Sequence, residues 1–197
     1  MKILTIALLT MLSVTAAARA ATAQEAGAGP APASSGRPAA AERFRNFLID
    51  SAGPVVLAET IAWAAAAQVS ETPAEWGGGA KGFGKRYASL VGQGIIQESV
   101  TYGLSEALAV DSRFHKSHKR GFLPRAGEAV LQSVTSRRSD GSRVVSAPLL
   151  AGYAAGGIGM MAWYPDGYTY KDGLRYGGLA VASRAGVNLI REFITRR

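Results

Sequence analysis

Apolar side chains return at helical spacing through most of this chain, and glycine, proline or charge marks the breaks between runs. Residues 41–51, AERFRNFLIDS, place Phe44, Phe47 and Leu48 together with charges elsewhere, which predicts an amphipathic helix. Gly53-Pro54 ends it and starts the next, because proline suits a first turn, where its missing N–H leaves no bond unmade. Residues 54–69, PVVLAETIAWAAAAQV, are apolar or alanine nearly all round, the pattern of a helix buried on several sides. Thr72-Pro73 followed by Glu75 reads as the start of a third element. Residues 76–84 are so rich in glycine that the pattern assigns them no conformation.

The helical period returns at 85–110. Tyr87, Val91, Ile95 and Tyr102 fall on one side and Ile96, Val100, Leu104 and Leu108 drift along another, which predicts a central helix with partners on both sides. A further helix is expected over 124–135, with proline near its start. Asp140-Gly141 signals a tight turn, so a short β-hairpin is expected near 134–145, tipped by Arg137, Arg138 and Arg143. A last helix over 171–193 groups Tyr176, Leu179, Ile190 and Phe193 opposite Arg184, Asn188 and Arg191. No run suits a larger sheet. The expected class is all-α: a compact, glycine-rich bundle of about five or six helices.

Residues 144–165, VVSAPLLAGYAAGGIGMMAWYP, carry no charge and pose the choice between a membrane span and a core helix. With Pro148 in the first turn, the helix proper runs from Pro148 to Trp163. That is about 24 Å long, against a hydrocarbon core of about 30 Å. Only Leu149, Leu150 and Ile158 are strong aliphatics, so a core helix is expected and insertion is the alternative. Gly152 and Gly156 lie four apart, as do Gly173 and Gly177, and Gly178 and Ala182. Small residues at that spacing let helix backbones approach closely, so the two helices are expected to cross through these glycines.

The first residues change the picture of where the chain works. Met1-Lys2, an apolar stretch and the small residues around Ala20 and Ala23 have the layout of a signal peptide over 1–23, with cleavage after Ala20 or Ala23. Residues 24–41, of Ala, Gly, Pro and Ser, read as a flexible linker, leaving a single domain over 42–197. Losing Lys2 and Arg19 takes the 22 basic residues to 20 against 14 acidic, or +6. An exported protein of that charge is drawn to anionic lipid or polysaccharide rather than nucleic acid. With no cysteine, disulfides and thiolate metal sites are excluded.

Candidate chemistry is sparse. Residues 77–86, GGGAKGFGKR, imitate phosphate-binding loops, but a helix start precedes them where a strand is needed, and Arg86 stands where a Mg²⁺-holding hydroxyl would be. They read as a hinge or a close helix contact, and no cofactor is expected. His115 and His118 are three apart, but Arg113, Lys116, Lys119 and Arg120 surround them. Such a setting repels a divalent cation and favours an anion, so no metal is expected. These six residues, with Arg137, Arg138 and Arg143, are the candidate anion-binding set, and a merely solvated basic turn is the alternative. Glu59 and Glu98, set among apolar neighbours, are expected either to pair with an arginine such as Arg86, Arg125, Arg175 or Arg184 or to act as acid or base, with Tyr102 as helper.

Four stretches, PAEWGGGAKGFGKRY (73–87), DSRFHKSHKRGFLPRAG (111–127), GYAAGGIGMMAWYPDG (152–167) and GLRYGGLAVASRAGVNLIREF (173–193), resemble an uncharacterised family of exported bacterial proteins. The resemblance implies export and one domain, and supplies no catalytic residues. Three functional expectations follow. One is a non-enzymatic envelope protein touching an anionic surface, in peripheral contact with the membrane. The second is an envelope enzyme working through Glu59 or Glu98. The third is a membrane-integrated bundle packed through Gly-x-x-x-Gly faces.

Overall fold

Local signals place most of the element boundaries. The computed structural model describes residues 39–194, so the expected signal peptide and nearly all of the expected linker lie outside the described residues. Helix α1 is Ala40–Ala52, α2 Pro54–Val69, α3 Gly79–Ala107, α4 Phe122–Leu131, α5 Ala147–Gly159 and α6 Tyr170–Phe193. Pro54 opens α2 as expected, and Ser146 caps α5 by accepting the Leu149 N–H at 3.2 Å, with Pro148 in the first turn. Thr169 and Asp172 form a capping box at the start of α6. Strands β1, Thr135–Arg137, and β2, Arg143–Val145, pair antiparallel around the Asp140-Gly141 turn, which is the short hairpin the sequence calls for. The fold is all-α with this one hairpin.

Several boundaries differ from expectation: α4 ends at Leu131 where a helix to 135 was expected, α5 gives way at Gly159 to a 3₁₀ turn, Met160–Ala162, and two differences lie around the glycine-rich stretch. Thr72-Pro73, a cis peptide, opens only a single 3₁₀ turn, Ala74–Trp76. Helix α3 begins inside the glycine-rich stretch, at Gly79, because the rest of that stretch is simply helical.

Helix α5 is the centre, packed against α3 on one side and α6 on the other. Both crossings are antiparallel. Gly152 lies over Thr101 and Gln97, and Gly156 over Gln93; Trp163 reaches Ser89 near the start of α3. The Gly152/Gly156 face therefore meets α3, which corrects the expectation that it meets the last helix. It is Gly157 that lies against Gly173 and Gly177, where a Cβ at Gly177 would stand 2.7 Å from the Tyr153 carbonyl oxygen. The 173/177 pair does face α5, one residue round from the face the spacing pointed to.

The sides that the helices turn inward also differ from expectation, and in one consistent sense. The buried apolar side chains among the described residues are few: Ala64, Pro73, Val110, Ala129, Pro148, Leu149, Tyr153 and Met160. Buried with them are Arg86, Gln93, Thr101, Glu128, Asn188 and Glu192. Helix α2, expected to be buried on several sides, exposes Leu57, Ile61, Ala65 and Val69, a continuous apolar row at helical spacing. Helix α6 turns Asn188 inward and leaves Leu179 51% exposed, the reverse of the expected grouping. On α4, Glu128 is buried while Leu123 is 78% exposed.

Candidate functional site

The two carboxylates singled out in the sequence both point into the bundle. Glu98, on α3, receives a hydrogen bond from Arg184 Nη1 of α6 at 3.1 Å and one from the Gln97 amide at 3.2 Å. This is the arginine pair the sequence allowed. Glu59, on α2, makes no arginine ion pair among the described residues; it accepts a hydrogen bond from the Ser183 hydroxyl, and Trp63 Nε1 donates to the same Ser183 oxygen at 3.1 Å. Ser183 and Arg184 are neighbours, so one turn of α6 satisfies the acids of two other helices. That convergence was invisible in sequence, where Ser183 carries no signal.

Glu98 is not sealed off. With Thr101, Tyr102, Ser105, Asp111, Arg113 and Arg184 it lines a hollow of about 70 Å³ under α1. A second hollow of about 170 Å³ adjoins it, sharing Asn46, Asp50, Arg113 and Arg184 and adding Ile49, Phe114 and Arg191. Helix α1 covers this cleft with a two-pronged pair of Arg43 with Glu106, both bonds 2.7 Å, with Phe47 stacked on Tyr102 at 4.9 Å between ring centres and with Phe44 edge-on to the same ring at 6.2 Å. Tyr102 thus sits beside Glu98, but its ring is held by Phe47.

The basic residues are largely engaged with carboxylates of this chain. Asp111 accepts from Arg113 at 3.0–3.1 Å and lies 3.1 Å from His115 Nε2. Burial pushes the Asp111 carboxyl up, but the hydrogen bonds from His115 and Arg113 outweigh it and hold it well below the usual carboxylate range. Glu128 is ringed by Arg143 at 2.7 Å, Lys119 at 3.3 Å and Arg137 at 3.5 Å, and it accepts the Ser117 hydroxyl at 3.0 Å. Here too burial raises the carboxyl, and Arg143, Ser117 and Lys119 together lower it further than burial lifts it. Of the candidate anion-binding set, Arg113, His115, Lys119, Arg137 and Arg143 therefore serve internal acids. Lys116 is half-buried, and His118, Arg120 and Arg138 are exposed on the same end of the bundle. The 111–120 segment is not helical, so His115 and His118 do not share a helix face. Among the described residues no group of three or more His, Cys, Asp or Glu side chains could hold a metal ion.

The glycine-rich 77–86 stretch has an internal purpose. Arg86 is buried and donates to the carbonyls of Thr72, Pro73 and Gly77 and to Gln68 Oε1, at 2.7–2.9 Å. A Cβ at Gly82 would lie 2.8 Å from Arg86 Nη1. The stretch is small so that a guanidinium can tie the α2–α3 connection to α3, a close contact rather than a phosphate cradle. Comparison with family models, curated proteins and solved structures finds no match to this chain.

Proposed function

We propose that this chain is an integral-membrane helical bundle of the cell envelope, apolar outside and polar within. The observation that carries the reading is the direction of the charged side chains. Over residues 54–69, 87–105, 147–165 and 176–190 no Asp, Glu, Lys, Arg or His is exposed. The three such residues these segments contain, Glu59, Glu98 and Arg184, all turn inward onto neighbouring helices. At about 1.5 Å per residue the helical parts are about 20–28 Å long, shorter than a hydrocarbon core of about 30 Å, so the reading rests on the direction of the charges and has the bilayer thin around the bundle. Ionisable residues in such a setting face the bundle interior and pair with one another.

Two further features support it. Tryptophan and tyrosine gather at one end, where Tyr164 packs against Trp76, Tyr168 and Tyr176. At the other end α1 exposes Phe44, Leu48 and Ile49, and α4 exposes Phe122, Leu123, Val130 and Leu131. Short amphipathic helices with apolar outer faces suit the headgroup boundary, with His118, Arg120 and Arg138 reaching anionic lipid beyond it. By length and composition only Ala40–Val69, among the described residues, passes as a span. Helices α3 and α6 do not pass because of the charged, polar and glycine residues they contain; of the polar ones, Gln93, Thr101 and Asn188 are buried while Lys81, Lys85, Lys171 and Arg175 are exposed near the helix starts. The role fits a non-enzymatic envelope protein.

The test is extraction. Membranes carrying the protein are washed at alkaline pH and high salt, and the chain is expected to stay until detergent is added. Release by the wash would overturn the reading and leave the apolar exterior to be covered by protein.

A second reading rests on one observation, that Glu98 and Tyr102 line the same cleft. It makes Glu98 an acid or base acting on an envelope lipid or glycan. Loss of such an activity in Glu98→Gln, with folding unchanged, would establish it.

A further inference from the structure

The outer hollow of the cleft has an unusual wall. Arg113 and Phe114 come from the segment after α3, Arg184 and Arg191 from α6, and Asn46, Ile49 and Asp50 from α1. Three guanidinium groups and one carboxylate line a space of about 170 Å³, and each arginine already faces an acid: Arg113 faces Asp111, Arg184 faces Glu98, and Arg191 Nη2 lies 4.0 Å from Asp50 Oδ1. Arg184 and Arg191 are seven residues apart, two turns along one face of α6. Arg113 uses Nε and Nη2 on Asp111, and Arg184 uses Nη1 on Glu98 and Nη2 on the Ser112 carbonyl. A guanidinium carries five N–H donors, so both keep donors beyond those bonds. Arginine forks of this kind match the oxygens of a phosphate in geometry and charge.

The rim is apolar on one side. Ile49 lines the hollow and is exposed, and it continues into the exposed row of Phe44 and Leu48 along α1. A ligand that satisfies both features carries a phosphate and an apolar tail. Resting on the membrane reading above, we propose that this hollow binds the phosphate of a phospholipid headgroup, held by Arg113, Arg184 and Arg191. The acyl chains lie along the apolar face of α1. Asn46 supplies a neutral donor, and Asp50 limits how many negative charges the site accepts.

The test uses the full chain purified in a non-ionic detergent. Three probes are titrated by calorimetry: short-chain phosphatidylglycerol, the diacylglycerol with the same chains, and inorganic phosphate. One phosphatidylglycerol per chain is expected to bind, the diacylglycerol is expected not to, and inorganic phosphate is expected to bind more weakly at the same site. Arg113→Gln and Arg191→Gln should each weaken phosphatidylglycerol about tenfold, the order expected for loss of a charge-assisted hydrogen bond. Arg175→Gln, which removes the same charge from the exposed start of α6, should change nothing. Asn46→Phe keeps every arginine but fills the hollow, so it too must weaken binding, which covers the case in which an arginine variant fails to fold. Unchanged affinity in Arg191→Gln and Asn46→Phe, or an equal loss in Arg175→Gln, overturns the site. Inorganic phosphate binding as tightly as the lipid would make free phosphate the ligand and overturn the lipid assignment. Extraction on the same preparation separates the two readings. A chain that washes off membranes refutes the bundle's insertion, whereas one that is retained but binds no phosphatidylglycerol refutes the cleft alone.

Discussion

Glu128 shows at the scale of one residue how this molecule uses charge. It sits on a ten-residue helix whose outer stripe is Leu123, Val130 and Leu131, yet it is buried and meets cations from three places in the chain. Glu128→Ala leaves the Ser117 hydroxyl without its acceptor, while Lys119, Arg137 and Arg143 still reach solvent, so it should cost about 1–3 kcal/mol, read from thermal or denaturant unfolding in detergent. Acidification acts on the same groups. Asp111 and Glu128 both have carboxyls lowered by their partners, so their contribution is complete above their ordinary unfolded values and is lost as pH falls through the lowered ones. The unfolded chain binds more protons across that window, and stability should therefore fall steadily from about pH 5 downward. Asp111→Asn should flatten part of that fall in melting temperature against pH; an unchanged slope would mean Asp111 is not among the groups responsible. Sequence singled out the cations Lys119, Arg137 and Arg143 and missed Glu128, because nothing local distinguishes a glutamate that is encircled from one that is solvated.

At the scale of the element, boundaries were legible and faces were not. Pro54, Pro148 and Asp140-Gly141 set their turns through their own backbone preferences, so sequence placed α2, the start of α5 and the hairpin. The glycines of α5 were recognised as packing residues, but the spacing could not say which helix each would meet. The structure separates them sharply. Gly157 and Gly177 touch backbone across the α5–α6 crossing, whereas Gly178 has open space around it. Gly177→Leu should therefore destabilise by about 3 kcal/mol or more, since it forces the helices apart. Gly178→Ala should be neutral or stabilise by up to about 1 kcal/mol, through helix propensity alone. Melting both variants side by side checks the crossing; equal effects would mean the helices do not meet there. Gly156→Leu should also destabilise, but through α3, where a Cβ would already stand 2.9 Å from the Gln93 carbonyl oxygen.

At the scale of the whole molecule the question is which solvent surrounds it. A charge placed on the exposed face of a water-soluble helix changes stability by at most about 0.5 kcal/mol. The same charge in the middle of a membrane helix costs about 2.5–3.5 kcal/mol on an insertion scale. Ile61→Arg on α2 and Leu179→Arg on α6 lie on the apolar exterior and touch no polar partner of the interior. Each is expected to cut the amount of protein retained in alkaline-washed membranes several-fold. Wild-type retention in both would remove the case for a lipid-facing surface. The absence of native cysteine offers a second readout: Ile61→Cys should resist a water-soluble maleimide in intact membranes, while Arg138→Cys should react.

Sequence by itself determined what is local: the extents of α1, α2 and α6, the start of α5, the hairpin turn, the lack of thiol chemistry and the basic balance. These follow from φ/ψ preferences, proline and glycine, and simple counting, and need no knowledge of neighbours. Only the tertiary structure decided which way each helix faces. The apolar stripes of α2, α3 and α6 were read as inward because water is the usual solvent, and periodicity is the same whether a stripe meets a core or a lipid chain. Once Glu59, Glu98 and Arg184 converge on one turn of α6 and Gly157 locks against Gly173 and Gly177, the polar side has no choice but the interior. The apolar stripes are then left outside, because a helix has only two sides to divide between its neighbours and its solvent.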